Sequence, residues 1–234
     1  VNISGNDRTN EHVIRRQLYT YPGNKFSRSD LIMSQREIAN LNFFDQEKIG
    51  IQPKPHVEDG TVDIDYTVAE KPSDQIELSG GWGGNGYSRT PTLIGTAGIM
   101  LNNFSRKKLL HPDQWSPVPT GDGQKLSLRA QSNGANYQGY TFSFTEPWFG
   151  GKKPNSLSLS VFHTVNSFDF RQKSDPLRQV FMNTGFTVMY GARLKWPDDF
   201  FNLQYGFSFN QYRMKNMDGG FYGFPKGFNG ISYN

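Results

Sequence analysis

The 234-residue chain contains no cysteine, which excludes disulfide bridges and thiolate metal sites. It has no run of about 18 apolar residues, so a transmembrane helix is excluded as well. Only 35% of the residues are hydrophobic, and the mean hydropathy is −0.65. The net charge is +4 without a dense lysine and arginine tract, and we expect no nucleic-acid partner. A membrane protein of this composition must cross with strands, whose signal is spread over alternating segments of about 10 residues.

The usual patterns of enzyme sites are also missing. The glycine-rich stretch "GGWGGNG" (80–86) lacks the following helix and the Lys-Ser/Thr pair of a phosphate-binding loop. No HExxH or other metal-binding spacing relates the four histidines, His12, His56, His111 and His163. No nucleophile–base pair stands out. We therefore predict that the protein is not an enzyme and holds no metal or cofactor.

What the chain does contain begins with a small α+β domain, predicted over residues 1–72. A short strand leads to a helix capped by Thr9 or Asn10, with the apolar residues Val13, Ile14 and Leu18 at helical spacing. Ser27 or Ser29 caps a second helix, whose buried face draws on Leu31, Ile32, Ile38, Leu41 and Phe44. Two alternating strands around Asp59-Gly60 then form a hairpin. The predicted order is β-α-α-β-β.

From residue 73 to 234 the pattern changes to repeated two-residue alternation. In "YQGYTFSFTEPWFGG" (137–151), aromatic residues alternate with serine and threonine, as expected for a strand with one apolar and one polar face. Six further segments alternate in the same way, which predicts about seven antiparallel strands. They begin near residues 75, 92, 125, 156, 185 and 201.

Three details favour lipid rather than a soluble core as the partner of the apolar faces. The polar faces carry serine, threonine, glycine and asparagine instead of lysine and glutamate. Several alternations reach the roughly 9–11 residues that cross a bilayer, and apolar faces often end in an aromatic residue. We predict that seven side chains face the membrane or its interface: Tyr140, Phe142, Phe144, Trp148, Tyr190, Trp196 and Phe207. A soluble β-sandwich that binds a partner is the alternative on pattern alone.

The connections between strands are of unequal length. Those at 147–155 and 196–200 are short, whereas 102–123 and 165–179 are long. Alternating short turns and long loops are typical of outer-membrane barrels, but 102–123 falls where a short turn is expected, and the sequence offers no account of it. Seven strands cannot close a barrel, and open edges cannot face hydrocarbon. We therefore expect the protein to extend beyond Asn234 or to be completed within a complex.

Several motifs together resemble the last POTRA domain and the early barrel of BamA-type outer-membrane insertases. They are "GNDRTNEHVIRRQLYTYPG" (5–23), "SDLIMSQREIANLNFFD" (29–45), "VDIDYTVAEK" (62–71) and "FTEPWFGG" (144–151). The resemblance implies a bacterial outer-membrane barrel with its POTRA domain in the periplasm. It further implies the core subunit of an assembly machinery that folds and inserts client barrels without ATP. A polypeptide translocator of the two-partner-secretion class, which also joins POTRA domains to a barrel, is the alternative.

The resemblance also assigns a lateral gate to the first barrel strand. Its glycines weaken pairing, and a weakly held first strand permits client strands to add at the seam. Glycines also occur on barrel strands where neighbours crowd or where the curvature of the strand demands them, which is the structural alternative. The predicted gate residues are Gln75, Ile76, Glu77, Leu78, Ser79, Gly80, Gly81, Trp82, Gly83 and Gly84.

Two arginines of the first POTRA helix are the predicted partner-binding residues. Arg15 and Arg16 match a pair that, in the family, meets an accessory lipoprotein, although Pro22 replaces an acidic residue near the end of this motif. The alternative is that Arg15 and Arg16 simply lie on a solvated face of the helix, as such pairs usually do. The implied partners are outer-membrane lipids, unfolded outer-membrane clients and periplasmic accessory lipoproteins.

Overall fold

A computed structural model describes residues 1–83, 92–134, 136–151, 153–167, 169, 175–194, 196, 201–217 and 229–233. The chain divides into two compact units. The first comprises residues 1–74 and 101–124, and the second comprises residues 75–100 and 125–234. In the described part of the chain, no helix has the length and apolar character needed to cross a membrane.

The first unit contains the α+β domain in the predicted order. Strand β1 (Asn2–Ser4) is followed by helix α1 (Glu11–Arg15), helix α2 (Arg28–Asn40), β2 (Gly50–His56) and β3 (Thr61–Thr67). The three strands form one sheet in the order β1-β3-β2, with β1 parallel and β2 antiparallel to β3. Gly60 closes the β2–β3 turn with a φ of 64°, which a residue with a side chain rarely adopts.

One hydrophobic core holds the helices on this sheet. Its eleven buried members are Val13, Ile14, Leu18, Leu31, Ile38, Phe43, Phe44, Ile49, Ile64, Tyr66 and Val68. Ser27 is the residue that caps α2, and its hydroxyl accepts a hydrogen bond from the Asp30 N–H at 3.3 Å. The expectation that Ile32 is buried is wrong, since 51% of its surface is exposed on the outer side of α2. Helix α1 is shorter than the spacing predicts, although Leu18 beyond its end is still buried.

Strand β2 forms one edge of this small sheet, and its composition limits further pairing. Pro53 and Pro55 have no N–H group and donate no hydrogen bond to an added strand. Between them, Lys54 Nζ lies 2.6 Å from Asp65 Oδ2, and Asn2 Nδ2 donates to Asp65 Oδ1 at 2.8 Å. These contacts, first with Lys54 and then with Asn2, hold the pKa of the Asp65 carboxyl below its ordinary value.

In the residues that the structure describes, the second unit is an antiparallel sheet of eight strands, one more than the sequence pattern indicates. They are β4 (Gln75–Gly83), β5 (Thr92–Phe104), β6 (Gln124–Asn133), β7 (Tyr137–Glu146), β8 (Ser156–Ser167), β9 (Val180–Arg193), β10 (Asn202–Lys215) and β11 (Asn229–Tyr233). Each strand lies beside its neighbour in sequence, so among the described residues β4 and β11 are the two outer strands and do not pair with each other. Six of the eight strands have 10 or more residues, enough to cross a bilayer at a tilt.

Candidate functional site

Strand β4 is an edge strand with unusually little cover. Within the described residues its ladder partner is β5, in a register that places Ile76 opposite Ile99 and Gly80 opposite Gly95. Residues 75–82 are exposed, and the apolar side chains of Ile76, Leu78 and Trp82 keep about four-fifths of their surface. An exposed edge is a template for pairing with another strand. The predicted gate residues from Gln75 to Gly83 therefore lie on an accessible edge, while Gly84 lies outside the described residues.

The glycines of β4 differ in how much space surrounds them. A Cβ atom at Gly81 would meet nothing within 4 Å, and one at Gly80 would meet only the Ile94 carbonyl oxygen at 3.8 Å. Gly83 is different, because a Cβ there would lie 2.1 Å from Ile94 Cδ1. That methyl group is the far end of a side chain that can move, so crowding does not require a glycine at position 83, and positions 80 and 81 are not crowded at all. Since Gly80 also pairs with Gly95, this part of the β4–β5 ladder lacks cross-strand side-chain packing.

The other half of β4 has more attachments. Arg129 on β6 reaches over β5 to Glu77, with Arg129 Nη2 3.2 Å from Glu77 Oε1. Gly98 of β5 leaves room beneath this pair, since a Cβ there would lie 3.4 Å from Glu77 Oε2. Among the described residues, the side-chain attachment of β4 lies at Glu77, whereas Gly80 and Gly81 contribute only their backbone to the ladder.

The apolar face of the sheet is continuous from strand to strand. One row of opposed residues contains Leu128, Phe142, Val161, Phe186 and Phe209. The next row contains Leu126, Phe144, Leu159, Val188 and Phe207. Many of these side chains keep a third to a half of their surface, because no other element of the described chain covers them. An uncovered apolar face of this extent is what a lipid-facing surface requires.

Polar groups mark both ends of this apolar face. At one end, Tyr140 stands opposite His163, and the His163 ring shares a 2.7 Å hydrogen bond with the Thr184 hydroxyl. At the other end, the Tyr190 hydroxyl accepts a 2.8 Å hydrogen bond from Asn155 Nδ2. Tyr140 and Tyr190 thus lie at opposite ends of this face, and each combines an apolar ring with a polar hydroxyl.

The remaining predicted membrane-facing residues occupy different positions. Phe142 lies in the first of the two apolar rows, and Phe144 and Phe207 lie in the second. Trp148 is partly buried in the turn after β7, and Trp196 follows β9 with 83% of its surface exposed. The structure therefore brings five of the seven onto one face of the sheet and leaves the two tryptophans beyond the strand ends.

The opposite face of the sheet carries small hydroxyl residues in register. Ser143 and Ser160 lie within 3.2 Å of each other, Thr145 and Ser158 within 3.0 Å, and Thr187 and Ser208 within 3.4 Å. These contacts satisfy polar groups locally without charged side chains. A face of this kind is typical of the polar interior of a membrane barrel.

Arg15, the last residue of α1, and Arg16, which caps the helix, have different surroundings. Arg15 forms an exposed ion pair with Glu11 one turn away, and its Nε donates to Glu11 Oε1 at 3.0 Å. Arg16 Nη2 instead donates to the Asp122 carbonyl oxygen at 3.2 Å, within the first unit. The structure therefore does not present Arg15 and Arg16 as one shared surface, because Arg16 is occupied by a segment of the same chain.

Arg16 contacts the connecting segment, residues 105–123, which joins β5 to β6. Together with Asn103 at the end of β5, it packs on the α+β domain through five residues that form the clasp network: Thr9, Asn10, Asn103, Ser105 and Asp122. Asp122 is 5% exposed, and its carboxylate accepts hydrogen bonds from Asn10 Nδ2 at 2.8 Å and Ser105 Oγ at 2.7 Å. Asn103 Nδ2 donates to Thr9 Oγ1 at 2.8 Å. The long 102–123 connection is thus a built part of the first unit.

Two glycines allow the connecting segment to approach α1 closely. Gly121 has a φ of 130°, and its carbonyl accepts the Asn10 N–H at 2.9 Å. Gly123 has a φ of 72°, and a Cβ there would lie 3.0 Å from Val13 Cγ1. The sequence "TGDG" (120–123) was a possible signal, since two glycines flank an acidic residue. It does not reveal which surface the turn meets, because that partner lies more than 100 residues earlier.

No cluster of three or more histidine, aspartate or glutamate side chains suited to a metal ion occurs among the described residues. Comparison with known proteins shows relatives that are named as outer membrane protein assembly factors. The outer membrane protein assembly factor BamA of Neisseria meningitidis serogroup B is 25% identical over 179 residues, which are 76% of this chain and 19% of that protein. The POTRA family model, described as a surface antigen variable number repeat, matches residues 1–71, and the Omp85 superfamily domain matches residues 120–226. The chain is of the BamA type.

Further comparisons agree with this family. BamA of Neorickettsia risticii is 37% identical over 139 residues, which are 58% of this chain and 16% of that protein. The crystal structure of Haemophilus ducreyi BamA lacking POTRA domains 1–3 has a similar fold, with a TM-score of 0.63. The match covers 100% of this chain and 41% of the Haemophilus ducreyi chain. The sequence identity is 18%, and at that identity the likeness shows the fold alone. The chain spans less than a fifth of the length of the two curated relatives. Its family locates the barrel strands in the bacterial outer membrane and the POTRA domain in the periplasm.

Proposed function

We propose that this chain belongs to the core subunit of an outer-membrane protein assembly machinery, and that β4 is the moving edge of its lateral gate. The observation that carries the proposal is the edge position of β4 combined with glycines at 80 and 81 that crowding does not require. The curated relatives are named as outer membrane protein assembly factors, and their names supply the general role.

The physical argument concerns how a client strand is accepted. An exposed edge offers backbone donors and acceptors, so a client strand gains a ladder of hydrogen bonds when it pairs there. Release of the finished client requires that this ladder be weak, and glycine weakens pairing because it contributes no cross-strand packing. Such an exchange of strands needs no nucleotide hydrolysis. The proposed partners are unfolded barrel clients at the β4 edge and outer-membrane lipids at the apolar face.

Accessory lipoproteins are proposed as partners of the POTRA domain, with a revised docking surface. Arg15 is exposed beside Glu11, whereas Arg16 contacts the connecting segment. A lipoprotein that docks on α1 would therefore meet Arg15 together with residues of the connecting segment, rather than two adjacent arginines.

The decisive experiment replaces a glycine of β4 by a residue that has a side chain. Gly81→Val in the full-length protein should strengthen the β4–β5 ladder and slow client assembly by several-fold, because valine favours strands by up to about 1 kcal/mol. The matched control is Gly206→Val on β10, which also has open space, with only Met189 Cγ at 3.9 Å. The readout is assembly of a test barrel into proteoliposomes that contain the purified machinery. Equal activity of both variants would refute a gate at β4.

A separate experiment distinguishes an insertase from a translocator that serves a single client. Depletion of the full-length protein should cause a broad loss of outer-membrane barrels if the protein is an insertase.

A further inference from the structure

The tip of the connecting segment, residues 106–115, is a compact hydrogen-bonded structure rather than an extended loop. It contains two short 3-10 helices, Lys108–Leu110 and Pro112–Gln114. Trp115 Nε1 donates to the Lys108 carbonyl oxygen at 2.8 Å, and Lys108 Nζ donates to the Thr120 carbonyl oxygen at 2.8 Å. The orientation of the indole ring and the path of the tip are therefore fixed by the segment itself.

This ordered tip nevertheless presents apolar side chains to the surroundings. Leu110 keeps 83% of its surface, equal to Leu78 on the uncovered face of β4, and Leu109 and Trp115 keep 49% and 41%. Exposed cations accompany them, namely Arg106 and Lys107, for which the described residues provide no salt bridge. Adjacent leucines, a hydrogen-bonded tryptophan and two free cations are the composition of a membrane-interface contact.

The course of the chain indicates which surface is within reach. The chain leaves the periplasmic POTRA domain along β4, returns along β5 and leaves again along β6, so the connecting segment lies on the periplasmic side. The parts of β5 and β6 that belong to the second unit, residues 92–100 and 125–133, have 9 residues each, about the length that crosses a bilayer. Both ends of the connecting segment are therefore within a few residues of the periplasmic membrane surface.

We propose that the tip of the connecting segment binds the periplasmic leaflet of the outer membrane. Leu109, Leu110 and Trp115 enter the headgroup–acyl boundary, while Arg106 and Lys107 pair with anionic phospholipid headgroups. A lipid surface fits better than a protein because the apolar group is small and flanked by cations, and because it is joined at both ends to membrane-crossing strands. The clasp network holds the base of the same segment on the POTRA domain, so one element contacts both the domain and the lipid.

The test uses the full-length protein in liposomes of phosphatidylethanolamine and phosphatidylglycerol. Leu110→Cys, in a background without other cysteines, carries an environment-sensitive fluorophore, and lipids with a spin label near the headgroup act as quenchers. Tyr190→Cys, at the Asn155 end of the apolar face, is the reference for contact with lipid near the headgroups, and Val57→Cys, 92% exposed in the β2–β3 turn, is the reference for an aqueous position. We expect about twofold quenching or more at position 110, close to position 190 and unlike position 57.

A second variant separates charge from burial. Combining Arg106→Glu with Lys107→Glu should reduce the quenching at position 110 in vesicles containing phosphatidylglycerol and have a much smaller effect in vesicles of neutral lipid. Fluorescence at position 110 as insensitive to quencher as at position 57 would overturn the proposal, including the case in which a protein subunit covers the tip. Because the readout is independent of client assembly, it can fail while the proposed insertase function stands.

Discussion

The clasp network permits a quantitative prediction at Asp122. Its carboxylate is buried and accepts hydrogen bonds from Asn10 and Ser105 at 2.8 and 2.7 Å. Each hydrogen bond to a charged group contributes about 1.5–3 kcal/mol, so Asp122→Ala should lower the local stability of the connecting segment by about 3 kcal/mol. Since every 1.4 kcal/mol is tenfold, the opening equilibrium should rise by about 100-fold.

Amide hydrogen exchange of the full-length protein in detergent measures this opening directly. The informative amides are those of Asn10, Gly121 and Gly123, which donate to the Gly121 carbonyl, the Asn103 carbonyl and Asn103 Oδ1 respectively. We expect them to exchange about 100-fold faster in Asp122→Ala. Asp113→Ala is the matched control, because Asp113 is exposed at the tip of the same segment. Unchanged exchange in Asp122→Ala, or equal acceleration in both variants, would refute the view that the carboxylate holds the segment in place.

Two further predictions concern the faces of the sheet and the POTRA domain. Phe207→Arg should destabilise the folded barrel by about 2–4 kcal/mol, whereas Ser208→Arg on the opposite face should destabilise it far less. The urea concentration at the midpoint of unfolding, measured in liposomes, reports both effects. Equal effects of the two variants would contradict the assignment of faces. The lowered pKa of the Asp65 carboxyl means that its contact with Lys54 stabilises the domain above the ordinary carboxyl pKa and is lost as pH falls through the lowered value. Asp65→Asn should therefore reduce the fall of Tm at acid pH. An unchanged dependence of Tm on pH would show that Asp65 does not contribute to the acid stability of the domain.

Most of the fold could be predicted from local patterns in the sequence. Alternation places Phe142, Phe144 and Phe207 on one face because a strand permits no other arrangement once its register is fixed. The order β-α-α-β-β is confirmed for the same reason, since Val13, Ile14, Leu31 and Ile38 all enter the core at helical spacing. Ile32 shows the limit of the method, because spacing alone does not distinguish a buried position from the margin of the apolar face.

The environment of the candidate site could not be predicted, because it depends on contacts distant in sequence. The glycines at 80 and 81 were identifiable, but the open space beside Gly81 is visible only once β5 lies next to β4. Arg16 is a clearer case, since its contact with Asp122 spans 106 residues of chain. Pairwise contacts of this kind leave no periodic pattern in the sequence, and so the connecting segment was unexplained.

The first unit is built from two separate stretches of chain, which affects the order in which the protein folds and the design of chimeras with its relatives. Thr9 and Asn103 are 94 residues apart, and Asn10 and Asp122 are 112 residues apart. As the chain enters the periplasm, the POTRA core can form once Val68 has emerged, but its final contacts must await two barrel strands and the segment between them. For the same reason, a chimera that exchanges only residues 1–74 with those of a relative would separate the two halves of the clasp network. An exchange that preserves this unit must transfer residues 1–74 and 101–124 together.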